Sequence, residues 1–97
     1  MVRFSSCGGD YKVLLEIEKA SEKAVLFSDY ADFAKVLQHQ EAIELHRYVL
    51  RLVATAYNIF RIGENNIVLE KELKSVFVYH QEYLRAHQRC LQALSSN

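Results

Sequence analysis

The chain contains no proline and only three glycines, Gly8, Gly9 and Gly63. Sandwiches and barrels need frequent turns, and turns draw on both residue types, so the scarcity excludes a many-stranded fold and favours a few long helices. Cysteine is equally sparse. Cys7 and Cys90 are the only two, too few for the disulfide framework of a small secreted scaffold. No stretch reaches the roughly 20 apolar residues that span a membrane. The longest apolar run, Val49 to Phe60, is interrupted by Arg51 and Asn58. The opening residues, Met1 to Gly9, lack the apolar segment of a signal peptide. These absences together give the expectation of a cytoplasmic protein with free thiols and no membrane association.

A charge excess is missing too. Twelve basic residues balance twelve acidic ones, whereas nucleic-acid binders usually carry a basic surplus, because phosphate contacts supply much of their affinity. The balance is uneven along the chain: residues 1–46 sum to −3 and residues 47–97 to +3. This asymmetry suits attraction between two halves of one bundle, or between two copies. No Gly-rich phosphate loop is present, and no cofactor is expected.

What the chain does contain is apolar periodicity. Hydrophobic residues make up 51% of its 97 residues, enough for a single core. Leu69, Leu73, Val76, His80, Tyr83, His87, Cys90 and Leu94 follow one another at alternating spacings of four and three. On a helix that spacing is one continuous stripe, the seam of a bundle or coiled coil. A second stripe runs through Val36, His39, Ile43, His46, Leu50, Val53, Tyr57 and Phe60.

From Tyr30 to Ile62 nothing breaks a helix. Gly63 occupies the place of a terminal glycine, and Asn65 or Asn66 suits the cap of the last helix. Residues 1–9 read as a flexible arm and residues 10–97 as one helical-bundle domain. Residues 11–27 admit two readings. Val13, Ile17, Ala20, Ala24 and Phe27 have helical spacing, while Tyr11, Val13, Leu15 and Ile17 alternate with charged residues as a strand would. One helix is preferred, because the middle of the segment holds good helix formers and no turn residue. A β-hairpin, giving an α+β fold, is the alternative. Ser28 and Asp29 are read as candidate caps for the following helix.

The expected fold is therefore all-α, an antiparallel bundle of three to four helices. A first helix of about 26 Å cannot cover a middle helix of about 50 Å. Either the middle helix bends at Gln38–Glu41 or a second copy covers the remaining seam, and a homodimer is the expectation.

All four histidines fall in a matched pattern. His39-Gln40-Glu41 precedes His46 as His80-Gln81-Glu82 precedes His87, and each pair is one heptad apart. Folding the hairpin at Glu64 brings residue i near 128 − i. This predicts one layer of His46, His80 and Tyr83 and another of His39, His87 and Cys90. Imidazole and thiolate suit zinc or copper, with Glu41, Glu44 or Glu82 as further ligands. Histidines seven apart are about 10.5 Å apart along the axis, too far to share one ion. The preferred role for the histidines is hydrogen bonding that tunes helix register or a partner surface, with a pH-sensitive interface next.

Cys90 and His87 are close enough on one helix to touch, but a seam cysteine is more often an inert packing residue, and no enzyme activity is expected. Arg47/Arg51 and Arg85/Arg89 form two small basic patches, and with Tyr48 and Tyr79 they are the candidate partner-binding residues. The expected function is a non-enzymatic interaction or regulatory module that binds a protein through a helical face. Two alternatives stand beside it. One is a metal- or redox-responsive regulator using His39, His46, His80, His87 and Cys90, and the other is a weak nucleic-acid binder.

Overall fold

The computed structural model describes residues 12–63 and 67–95; the side chains of 60–63 and 67 lie outside that description. The proposed N-terminal arm, the candidate caps Asn65 and Asn66, and Cys7 also fall outside it. Among the described residues three helices follow one another: α1 (Lys12–Tyr30), α2 (Val36–Gly63) and α3 (Ile67–Ser95). Their packing makes an all-α bundle about 50 Å long and 19 by 15 Å across. Among the described residues there is no strand, so the hairpin alternative for residues 11–27 is not supported: that segment is helical from Lys12 onward. The alternation of Val13, Leu15 and Ile17 lost to the longer 3.6-residue repeat, because only a helix brings Leu14, Ile17, Ser21, Ala24 and Ser28 onto one buried stripe.

The middle helix starts later than the sequence suggested. A turn at 31–35 separates it from α1, held by backbone bonds from the Lys35 N–H to the Asp32 carbonyl (3.0 Å) and from the Gln38 N–H to the Lys35 carbonyl (3.2 Å). The Asp32 carboxylate accepts from the Ala34 N–H at 3.0 Å, and the Gln38 side-chain oxygen from the Asp32 N–H at 2.6 Å. Short polar side chains that satisfy their own backbone in this way make a turn without glycine or proline. The polar stretch Gln38–Glu41 lies inside the first turns of α2 and does not interrupt it.

The helices differ in length by about half. With 19, 28 and 29 residues, they span about 28, 42 and 43 Å. α2 packs most extensively on α3, and α1 chiefly on α2.

The interior divides along the long axis. Toward the loop end of the hairpin lies an apolar core of Leu14, Ile17, Ala24, Val49, Val53, Ala56, Leu69, Leu73 and Val76. Toward the other end lie the buried polar side chains, Ser21, Ser28, His39, His46, His80 and His87, with Ala42 and Ile43 buried between the two histidines of α2. The α1 stripe is rotated from the sequence expectation. Val13, Ala20 and Phe27 are half-buried at its edge, while the two serines point inward.

Candidate functional site

Buried polar side chains need partners, because an unsatisfied one costs about 1–3 kcal/mol. Each histidine finds two. Nδ1 of His46 lies 2.7 Å from Nδ1 of His80, and Nδ1 of His39 lies 2.8 Å from Nδ1 of His87. The outward nitrogens meet oxygen. Nε2 of His80 is 2.6 Å from Ser21 Oγ, Nε2 of His46 is 2.7 Å from Ser28 Oγ, and Nε2 of His87 is 3.0 Å from that same Ser28 Oγ. Nε2 of His39 donates to the Phe33 carbonyl at 2.8 Å. The six links form one unbranched ladder: Ser21, His80, His46, Ser28, His87, His39, Phe33. Among the described residues no buried side-chain nitrogen or oxygen lacks a partner.

Heptad geometry builds this ladder. Ser21 and Ser28, His39 and His46, and His80 and His87 are each seven residues apart, so the same Ser/His/His layer is laid down twice. Residue i of α2 faces residue 126 − i of α3, two positions from the sequence expectation; the pairing of His46 with His80 and of His39 with His87 holds. Tyr83 stacks on His46 with ring centroids 4.8 Å apart and planes at 12°, as the expected layer has it. In the second layer the third member is Ser28, not Cys90, whose thiol is free and half-buried. Phe33 closes that end, its ring centroid 5.3 Å from His39 and 5.8 Å from His87.

Burial favours the neutral form of His46, His80 and His87. Desolvation, followed by the neighbouring His80 and His87 rings, lowers His46 to about 3. Burial lowers His80 to about 4. His87 is also lowered, by burial first and His39 second. Tyr83 is raised to about 12, mainly by its hydrogen bond with Tyr79.

This geometry bears on the metal and nucleophile roles weighed from sequence. Among the described residues no three His, Cys, Asp or Glu side chains gather to hold an ion. The paired nitrogens sit at hydrogen-bond separation. Both ring nitrogens of His87 are committed, to His39 and to Ser28, which leaves it no lone pair with which to act as a base on Cys90.

A second feature lies on the hairpin. Val53, Ala54, Tyr57 and Asn58 of α2, with Leu73, Lys74, Phe77 and Val78 of α3, line an apolar groove of about 370 Å³ to which α1 contributes nothing. Leu50 on α2, and Leu84 and Leu91 on α3, continue the seven-residue spacing of Tyr57 and Phe77 and are half-buried as well. Arg47, Arg51 and Arg85 stand one heptad from Ala54, Asn58 and Val78, which places these exposed arginines along the rim of the groove. Arg89 is exposed farther along α3. Tyr48 and Tyr79 belong elsewhere: the Tyr48 hydroxyl donates to Glu16 of α1 at 3.2 Å, and the Tyr79 hydroxyl lies 3.3 Å from that of Tyr83.

Sequence reasoning missed Ser21, Ser28 and the Phe33 carbonyl. The serines carried a signal, since they share the histidines' seven-residue spacing on a stripe otherwise filled by Leu14, Ile17 and Ala24. No helix is long and apolar enough to cross a membrane among the described residues. Comparison with protein-family models, with curated proteins and with solved structures gives no match.

Proposed function

We propose that this protein is a non-enzymatic interaction module that takes a partner helix into the α2–α3 groove. The observation that carries the reading is the apolar groove of about 370 Å³ between α2 and α3, lined by Val53, Tyr57, Leu73 and Phe77, to which α1 contributes no residue. An amphipathic helix laid in such a groove buries its own apolar stripe, at about 25 cal/mol per Å² removed from water. The rim selects the partner's charge. Arg47, Arg51 and Arg85 stand along it, and Lys74 lines it with its charge shared by Glu70 at 3.4 Å, so a helix flanked by Asp or Glu fits better than one flanked by Lys.

A second copy of the chain is the second reading. The seven-residue repeat on both helices matches the pattern by which a hairpin packs on its own kind, and α1 is too short to cover the whole hairpin. The basic rim opposes this pairing, which ranks it below a foreign acidic helix.

Two synthetic helical peptides with the same Leu/Ile stripe, one flanked by Glu and one by Lys, separate the possibilities by fluorescence anisotropy. The Glu peptide is expected to bind, and to weaken at least tenfold with Arg47→Glu/Arg51→Glu and with Val78→Asp. Equal binding of the Lys peptide, or none of either, overturns the acidic-helix reading. Native mass spectrometry of the untagged protein, giving dimer or monomer, decides the second.

A further inference from the structure

From the ladder's geometry we infer that it is an acid-triggered latch which fastens α1 to the hairpin and opens when protonation puts a second cation in the histidine stack. The inference stands apart from the groove and its partner.

One fixed end determines every proton. The Phe33 carbonyl accepts only, so Nε2 of His39 carries hydrogen. A neutral His39 then has a bare Nδ1 and accepts from Nδ1–H of His87. His87 in turn has a bare Nε2, which takes the hydroxyl proton of Ser28. With its one proton spent, Ser28 accepts from Nε2–H of His46. His46 presents a bare Nδ1 to Nδ1–H of His80, and the bare Nε2 of His80 accepts from the Ser21 hydroxyl. The tautomers therefore alternate: His39 and His46 carry hydrogen on Nε2, His80 and His87 on Nδ1.

Six links hold six protons, one each. A seventh fits if Ser21 turns its hydroxyl away, so that His80 becomes a cation donating on both sides, or if Ser28 does, accepting from His46 and His87 at once. That charge can then pass link by link toward His39, each histidine handing on one proton as it receives another. An eighth fits only with both serines turned, and it puts a second cation in the same stack; a ninth sets two hydrogens face to face in a single link. His46 and His87 rings are 6.0 Å apart, and His46 and His80 rings 4.9 Å.

No carboxylate belongs to the ladder to offset such charge. Facing it are Ser21 and Ser28 from α1, Phe33 from the turn, His39 and His46 from α2, and His80, His87, Tyr79 and Tyr83 from α3. Exposed Asp29 of α1 acts on Tyr83. The depressed basicity of His46, His80 and His87 agrees with this. Three of the six links end on serines of α1, so breaking them frees α1 from the histidine end of the hairpin.

The test joins tautomer assignment to an opening measurement. Long-range ¹⁵N–¹H correlation spectra at pH 7.5 should show the alternation above. The opening constant of α1, read from amide hydrogen exchange corrected for the intrinsic rate, should then rise by about 100-fold or more per pH unit below pH ~6, because at least two further protons bind on opening. The variant His39→Leu/His46→Leu/His80→Leu/His87→Leu with Ser21→Ala/Ser28→Ala, a dry ladder, should stay closed at pH 4. Four histidines of one tautomer overturn the inference, and that reading needs no variant to fold. So does any histidine that titrates alone near pH 6.5 while α1 stays protected, or a dry variant that opens in acid as the native chain does.

Discussion

The two ends of the interior are built on one backbone pattern with opposite chemistry. At the loop end, Leu14, Ile17, Val49, Val53, Leu69, Leu73 and Val76 fill the heptad positions. At the other end Ser21, Ser28 and four histidines fill the same positions, no less buried. The apolar end is non-directional: its stabilisation scales with area and is indifferent to register by a fraction of a turn or to pH. The histidine end is directional, since each link demands one donor and one acceptor at about 2.6–3.0 Å. The difference teaches that the apolar half holds the helices together while the polar half states which layer faces which.

The largest expected effect breaks the comparison through pH. His46 and His80 have folded values pushed below their ordinary ~6.5, so the neutral forms stabilise the native state. That stability is complete above pH ~6.5 and is lost as the pH falls toward 4, where the unfolded chain has bound protons that the native chain has not. Each contributes up to about 1.4 kcal/mol per pH unit. The two together remove up to about 3 kcal/mol per unit, a large share of a small domain's 5–15 kcal/mol. Urea midpoints between pH 7.5 and 4.5 should fall steeply. A flat profile would mean that the two ends do not differ.

Truncation at each end comes next. Leu73→Ala in the apolar half should cost about 2–5 kcal/mol at any pH. His46→Ala should cost about 3–5 kcal/mol at pH 7.5, from a cavity plus two orphaned partners, yet much less at pH 4.5, where the ladder is already failing. The contrast between the two pH profiles, read by denaturant titration, is the sharper result.

Within the ladder the two serines should be unequal. Ser28 serves two histidines and Ser21 one, so Ser28→Ala should cost about 2–3 kcal/mol and Ser21→Ala about 1 kcal/mol. Equal losses would mean that Ser28 does not bridge the layers. Smallest is the exposed ion pair of Lys74 with Glu70: Lys74→Ala should shift stability by no more than about 0.5 kcal/mol.

Much of this was legible. The α3 stripe from Leu69 to His87 is the buried stripe of the structure, with Tyr83, Cys90 and Leu94 half-buried beside it, because strong apolar residues at strict heptad spacing leave one way to face a partner. The pairing of His39 with His87 and of His46 with His80 followed from the hairpin alone. On α1 the reading was less secure. Counting apolar residues favoured Val13, Ala20 and Phe27, whereas the core took Leu14, Ser21 and Ser28. A serine registers in sequence as a cap or a neutral helix former, and its value in the core exists only once a histidine nitrogen stands opposite. The α2 stripe was half right for a related reason: Leu50 and Tyr57 are only half-buried, while Ala42, Val49 and Ala56, small enough for close helix approach, are buried.

Legible in the residues alone were the antiparallel hairpin of α2 with α3 and the two histidine pairs, with a helix preferred but not fixed for residues 11–27. These depend on spacing along one chain and on the absence of anything that breaks a helix. Only the tertiary structure decided that two serines of α1 complete the layers, that Ser28 joins them into one ladder, and that the Phe33 carbonyl fixes the proton at its end. Those are contacts between helices, where a shift of one residue exchanges a donor for a void, and no periodicity within a single helix encodes them.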